Sequence, residues 1–510
     1  MEDSYDVVVV GAGAAGLSGA LALGRARRSV LVVDAGEPRN APAGHVHDYL
    51  GREGTPPGEL LAQGREEVAR YGVEVEAGRV TVAVPERHGF AVRLEDGRAV
   101  QARRLLVATG LVDVLPDVPG VHEQWGGTVL HCPYCHGWEV RDGAVGVLGS
   151  GPLGVHSSLL WRQWTADVTY FVHTAPAPTD EEREQLAARG IRVVEDRVAA
   201  WEDGGVRLVS GELVARTALV VAPVLTARSA VLEHLGVAAE DVVMGGHVVG
   251  SQVPADPTGL TAVPGVWVAG NVADVLAQVV GAAAAGLQAA AALNADLVSE
   301  DTAEALFRAR FSGQEAWDER YLSRPALWSG RPNAVLVTEA ADLPPGRALD
   351  AGCGEGADAL WLAERGWQVT GTDLSAVALE RAAQEAAARG LDATWLHDEL
   401  PAGEQDLVTA HFLHLPTDER RPLYARLAGL VAPGGTLLLV GHDPHDALAA
   451  VRSAGMRDWM FTAEELAADL DLDPEDWDVE VCQARPRQGR DHEGRDVEVA
   501  DAVLRARRRG

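Results

Sequence analysis

Three times along this chain a short apolar strand runs into a glycine-rich loop and then into a helix. YDVVVV (5–10) meets GAGAAG (11–16), a small-residue helix follows to about Arg27, and a second strand, SVLVVD, ends at Asp34. AVGVL (144–148) meets GSGPLG (149–154), with a helix carrying Trp161 and Trp164. RAL (347–349) meets DAGCGEG (350–356), then a helix and the strand QVTGTD ending at Asp373. Continuous apolar strands mark a parallel sheet covered on both faces, and strand–loop–helix–strand is the crossover unit that builds one. The chain is therefore committed to α/β architecture. Its 510 residues, at about 150 per domain, predict about three domains. The three units share a form but no repeated sequence, which argues against a solenoid.

Composition removes several functions. The net charge of −31 argues against nucleic acid or an anionic membrane as partner, since both need clustered cations. No lysine is present; all 44 cations are arginine. That excludes Schiff-base chemistry and a phosphate loop ending in Gly-Lys-Ser/Thr. Residues 279–293 are Ala-rich but too short and too weakly apolar to span a bilayer. The opening MEDSYD has no basic region before its apolar run, so no signal peptide is expected. Four cysteines, at 132, 135, 353 and 482, are too few for a secreted disulfide scaffold. A cytoplasmic protein is the expectation.

In the first loop, Gly11, Gly13 and Gly16 permit a tight turn and let backbone N–H groups approach a pyrophosphate at a helix N-terminus, and Asp34 is placed to accept from ribose hydroxyls. Glycines serving helix–strand packing alone are the plainer alternative. Two further segments bear on the choice: RRLLVATG (103–110), and VPGVWVAGN (263–271) with the Ala/Gly-rich helix that follows Gln278. With these in order, residues 5–297 resemble the low-molecular-weight thioredoxin reductase family of FAD-dependent pyridine nucleotide–disulfide oxidoreductases. The resemblance implies a split FAD-binding Rossmann-like domain with an NAD(P)-binding Rossmann-like domain inserted. By that resemblance Gly11, Gly13, Gly16 and Asp34 hold the ADP half of FAD, Gly270 and Asn271 reach the flavin side, and Gln278 and Val279 lie near the ring. The family has Asp where Asn271 stands; Asn still bonds a ribityl hydroxyl.

HCPYCHG (131–137) admits three readings. Zinc held by His131, Cys132, Cys135 and His136 is disfavoured, because adjacent ligands on so short a segment do not face one tetrahedral ion and no second pair is apparent. A glutaredoxin-like domain shares Cys-Pro-Tyr-Cys, yet no small fold surrounds it. A flavin-linked redox pair is the third, and it matches the place of that pair in the resembled family. Exchange needs one attacking thiolate and a second sulfur to resolve it. The resemblance makes Cys132 the exchanging sulfur and Cys135 the one nearer the flavin. His136 stands where the family has an acid, and an imidazole can shuttle a proton near neutral pH. Dithiol oxidases of small natural products look similar, with Cys-x-x-Cys-His.

Gly149, Gly151 and Gly154 form a pyridine-nucleotide-type loop. NADPH-dependent relatives carry an arginine pair after the next strand's His; here His173 is followed by Thr174 and Ala175. NADPH bound differently, NADH, and a vestigial site with electrons passed to oxygen all remain open.

The third loop reads as a class I S-adenosylmethionine (SAM) methyltransferase. Asp350, Gly352 and Gly354 cradle the methionine and ribose parts, Asp373 is placed for the ribose hydroxyls, and Asp398 for adenine. DLVTAHFLHLP (406–416) and APGGTLLLVGHDP (432–444) complete the pattern. Trp317, Tyr321 and Trp328 approach this core, and residues 312–510 resemble the tellurite-resistance and thiopurine methyltransferase-like group, in which such a segment covers the cofactor; helix packing serves them equally. Cys353 reads as a small filler and Cys482 as a strand residue. His411 and His414 lie near the expected acceptor face, where a core or capping role accounts for them as well.

The expected division is 1–115 and 245–297 for FAD, 116–244 for the nucleotide-type insertion with the cysteine pair, 298–311 as connector, and 312–510 as methyltransferase. The expected activity is a bifunctional one: FAD-dependent thiol/disulfide oxidoreduction through Cys132 and Cys135, joined to SAM-dependent methyl transfer, with a small-molecule thiol as acceptor. The rivals are an NAD(P)H-dependent thioredoxin-type reductase with an independent methyltransferase, a dithiol oxidase using oxygen, and a non-catalytic flavin redox sensor. Expected partners are a small disulfide or dithiol, or a thioredoxin-like protein, with a homodimer implied by the resemblance. No metal centre is expected.

Overall fold

The computed structural model describes residues 3–413, 415–445, 456, 459–490 and 495–510. The chain divides into two compact units, Met1–Asp296 and Leu297–Gly510.

In the first unit, Ser4–Val10 is central because its whole length is apolar. Its residues pair in parallel with Val30–Asp34 on one side and Ala99–Val107 on the other. Glu74–Ala77 extends the sheet beyond Val30–Asp34. Far along the chain, Val266–Val268 adds in parallel to Ala99–Val107. Val8, Val10, Leu105, Val107, Val266 and Val268 share one buried core with Phe90 and Leu94.

A second sheet is wholly parallel, in the order Arg192–Val194, Val168–Phe171, Val145–Leu148, Ala218–Val220, Val129–Leu130. The helix after its glycine loop, Gly154–Trp161, stops short of Trp164. Leu111–Val114 and Val224–Ala227 pair antiparallel, where the chain enters and leaves the segment carrying this sheet. The helix Val279–Phe311 is continuous through the charged stretch at 298–311. It is followed by Gly313 at φ +82°, a conformation that favours glycine, and by the helix Gln314–Leu322.

The second unit holds one seven-stranded sheet. Its order is Ala393–His397, Gln368–Asp373, Arg347–Ala351, Gln405–His411, Val431–His442, Asp496–Arg508, Trp477–Arg490. The first five are parallel; the last two form a long antiparallel hairpin. Side-chain alternation sends Leu437 and Leu439 into the core on one face and Leu438 and Val440 into the core on the other.

Candidate active sites

A cavity of about 1050 Å³ opens in the first unit. Its wall includes Gly11, Gly13, Asp34, Gly270, Asn271, Gln278 and Val279, and also Cys132, Cys135 and His136. Residues far apart in sequence thus converge on one space. Gly16 lies behind the wall: a Cβ there would sit 1.9 Å from the Gly11 carbonyl oxygen. Gly11, at φ +103°, would put a Cβ 2.6 Å from the Ala108 carbonyl oxygen. Gly13 has nothing within 4 Å of its missing Cβ. Two glycines therefore close the loop onto the sheet, and the third leaves the opening a pyrophosphate needs. Asp34 accepts from the Ala12 N–H at 3.1 Å and from Arg65 at 2.6 Å, with lone pairs left for a ribose. These features fit FAD.

Asn271 is more specific than its sequence position suggested. Its amide nitrogen donates to the carbonyls of Asp274 (3.0 Å) and Ala277 (2.8 Å). An aspartate cannot donate, so this loop requires the amide, and the side-chain oxygen is left as an acceptor. Val279 is the first residue of its helix, so the positive end of the helix dipole faces the cavity.

Cys132 caps the short helix Pro133–His136 and accepts the backbone N–H groups of Cys135 and His136, each at 3.2 Å, on its carbonyl. The two thiols divide their protons unequally. The Cys135 thiol donates to the Cys132 sulfur, which holds Cys132 down at about 7; the same bond pushes Cys135 well above the usual thiol range. Burial pushes His136 down, so its imidazole is neutral near pH 7 and able to accept a proton. His131 is likewise lowered by burial, and its Nδ1 lies 3.1 Å from the Val221 carbonyl. Sequence reasoning missed three other wall residues: His47, and the bidentate pair Arg39–Asp113 at 2.7 and 2.8 Å. No local motif marks them; Arg39 and Asp113 meet only through folding.

The second loop sits elsewhere. Gly149, Gly151 and Gly154 do not line this cavity. Gly149 packs on the carbonyl of Val172 and Gly154 on the ring of Tyr170, while Gly151 is open. The N–H groups of Thr174 and Ala175 both donate to the Gly149 carbonyl, at 3.0 and 2.9 Å. These two residues are bound into the loop itself.

In the second unit, Asp373 receives the Gly354 N–H (2.9 Å) and the Ser375 N–H (2.8 Å) on separate oxygens. The Asp398 N–H donates to the Asp373 carbonyl, which brings the adenine candidate beside the ribose candidate. Gly352, Gly354 and Gly356 all have positive φ, which glycine alone adopts freely. A Cβ on Gly354 would lie 2.9 Å from the Tyr321 hydroxyl and 3.4 Å from Trp328 Nε1, so the aromatic approach segment does lie over the glycine loop. Burial, reinforced by Asp358, pushes Asp350 up to about 7. Cys353 is buried against Gly371, a filler as read, and Cys482 lies in the strand Trp477–Arg490. His411 is bonded to Asp358 at 2.7 Å; His414 falls outside the described residues.

The family pattern described as pyridine nucleotide-disulphide oxidoreductase matches residues 5–295. The chain belongs to that family. A pattern described as methyltransferase domain matches residues 348–435. The family implies FAD and nucleotide binding, and the domain implies SAM. Thioredoxin reductase sirT of Leptosphaeria maculans is 30% identical over 321 residues, 59% of this chain and 96% of that protein. Thioredoxin reductase tcpT of Claviceps purpurea is 40% identical over 171 residues, 32% of this chain and 52% of its own; the match thus spans about half of that relative. The crystal structure of HlmI shares 46% identity at a TM-score of 0.56, covering 61% of this chain and 97% of HlmI. The oxidoreductase from Agrobacterium tumefaciens shares 37% at 0.55, covering 58% and 99%. The first module is therefore thioredoxin-reductase-like and the second methyltransferase-like. No helix among the described residues is long and apolar enough to cross a membrane.

Proposed function

We propose that this chain is a bifunctional enzyme that exchanges electrons between a small-molecule dithiol or disulfide and FAD through Cys132 and Cys135, and methylates a small-molecule thiol with SAM. In this reading residues 1–115 and 245–297 hold FAD, 116–244 carry the cysteine pair and the second nucleotide-type loop, 298–311 connect, and 312–510 hold SAM. One observation carries the first half: both cysteines, His136, Gly11 and Gly13 border a single cavity.

In the oxidative direction a substrate thiol and the enzyme disulfide exchange. A mixed disulfide forms on Cys132 and releases Cys135 as thiolate. The second substrate thiol then attacks the substrate sulfur of that mixed disulfide, so the substrate leaves as a disulfide and the Cys132–Cys135 dithiol remains. His136, neutral and half-buried, takes up a released proton. When bound, the flavin supplies the two-electron acceptor that returns the pair to the disulfide. Cys132, lowered to about 7, is the better leaving thiolate of the pair, which suits it to carry the mixed disulfide and be released in that second step.

The dithiol-oxidase direction is favoured over NADPH-driven reduction by the 173–175 turn. Thr174 and Ala175 spend their N–H groups on Gly149 and bring no cation for a 2′-phosphate. The test is anaerobic addition of NADPH, NADH or dithiothreitol to the FAD-loaded protein. Bleaching by the dithiol and not by either nucleotide is expected; bleaching by NADPH alone overturns the direction. The methyl half is tested by transfer of labelled methyl from SAM to thiols that bleach the flavin.

A further inference from the structure

The strand order of the second unit reverses between Arg347–Ala351 and Gln405–His411, which pair side by side. Open α/β sheets bind their ligands in the crevice at such a reversal, outside the carboxyl ends of the strands. Three ionisable side chains meet at this point: Asp350 from the first strand, His411 closing the second, and Asp358 in the first turn of the helix Ala357–Ala363. One oxygen of each carboxylate and one ring nitrogen lie within 4.8 Å of one another.

The hydrogen bonds around the trio account for only some of its atoms. His411 Nδ1 pairs with Asp358 Oδ2 at 2.7 Å. Asp358 Oδ1 accepts from the Asn333 N–H at 2.6 Å, and Asp350 Oδ1 from the Thr409 hydroxyl at 3.1 Å. Two atoms remain: Asp350 Oδ2 and His411 Nε2 are buried and have no hydrogen-bond partner. Asp350 is 2% exposed and the His411 side chain 4%. A buried, unpaired carboxylate oxygen beside a second carboxylate is costly.

We propose that Asp350, Asp358 and His411 bind a divalent first-row cation in the methyltransferase domain. A cation answers the unpaired Asp350 oxygen, with His411 turned to it through Nδ1, the nitrogen that faces Asp358. The mixed imidazole–carboxylate set suits Mn²⁺ or a similar ion of oxygen and nitrogen preference. Three protein ligands leave a coordination position open, the pattern of a catalytic rather than a structural site. Ligands about 2.2 Å from an ion stand at most about 4.4 Å apart, so the trio closes by a few tenths of an ångström, a small carboxylate rotation. Asn333 and Thr409 hold the two carboxylates from behind, as outer-shell donors do. Asp358, with its side chain 14% exposed, is the side from which an ion enters. The site departs from the expectation of a chain without a metal centre and gives Asp350 to the ion, where the expectation had it cradle SAM; it stands whichever acceptor the domain methylates.

The test uses the full-length, chelator-stripped protein titrated with Mn²⁺ and followed by the electron paramagnetic resonance of the free ion. Mn²⁺ prefers oxygen and imidazole to thiolate, which keeps it off Cys132 and Cys135. One site per chain is expected above the weak binding of an acidic surface. His411→Ala and Asp358→Asn, each checked for a native near-ultraviolet circular dichroism spectrum, are expected to weaken it by at least about tenfold, a scale that even outer-shell changes reach. Asp358→Asn retains an oxygen for the Asn333 N–H and so spares that bond. A nitrogen coupling from imidazole in the pulsed spectrum of the unaltered protein is expected independently of any variant. No stoichiometric site, no imidazole coupling, or undiminished binding in the folded variants overturns the proposal.

Discussion

Cys132 and Cys135 differ because one proton is drawn between two sulfurs. A folded pKa of about 7 for Cys132, below the ordinary thiol value, means its thiolate is half-formed near pH 7, grows with rising pH and is lost as pH falls below that point. Alkylation of the reduced protein by iodoacetamide should therefore rise with a midpoint near 7. Cys135→Ala removes the donating S–H and should move the midpoint upward, toward the free-thiol value of about 8.5; an unmoved midpoint would show that Cys135 does not set it. Cys135→Ser should leave FAD bound and abolish bleaching by a dithiol; unchanged bleaching removes the pair from the mechanism. Asn271 makes a different residue-scale point. Asn271→Asp replaces two donors with an acceptor facing two carbonyls, at a cost of about 1–3 kcal/mol for the groups left unpaired. FAD should be lost more readily on dilution, and an unaltered flavin content and melting temperature would count against the internal bonds.

The approach segment 314–330 acts as an element because it is tied at several points. Asp318 accepts from the Ser375 hydroxyl at 2.6 Å and from the Val377 N–H. Glu355, in the glycine loop, accepts from the N–H groups of Leu327 and Trp328 and pairs with Arg381 at 2.8 Å. Arg381 in turn donates to the carbonyls of Tyr321 and Arg324. Glu355→Ala cuts this tie at its centre. Bonds to a charged group contribute about 1.5–3 kcal/mol each, so losing part of the tie should weaken SAM binding by roughly tenfold, read by calorimetry. An unchanged affinity would mean that the segment does not cover the cofactor. The glycine loops, Asp34 and Asp373 were legible in the sequence because strand, loop and helix are consecutive and each acid closes the next strand. The tie was not legible, since Glu355, Trp328 and Arg381 join three separate elements. Nor was the Asp358–His411 bond, which exists only because the sheet sets Arg347–Ala351 beside Gln405–His411. In the other module the sequence showed that Asn271 departs from the family's aspartate, but the reason lies in two carbonyls supplied by the turn that follows it.

At the scale of the whole molecule, the same strand–loop–helix device is used three times with different surroundings. The first loop opens on a cavity shared with the cysteines, the second is bound up by its own following turn, and the third is overlain by aromatic side chains. The residues proposed to hold the flavin all fall within Met1–Asp296, and those proposed to hold SAM all fall within Leu297–Gly510. The hydrogen bonds found for Asp373 and for the cysteine pair have no partner in common. Changes at sites without shared partners add independently. Asp373→Ala removes the acceptor for the Gly354 and Ser375 N–H groups, so it should abolish methyl transfer from SAM while flavin bleaching by a dithiol stays within about twofold. Cys135→Ser should do the reverse. Anaerobic stopped-flow bleaching and labelled methyl transfer, measured on the same preparations, decide the matter. If Asp373→Ala slows bleaching well beyond that range in a protein that keeps its FAD, the two chemistries are coupled through the chain and not only through a substrate that both can handle.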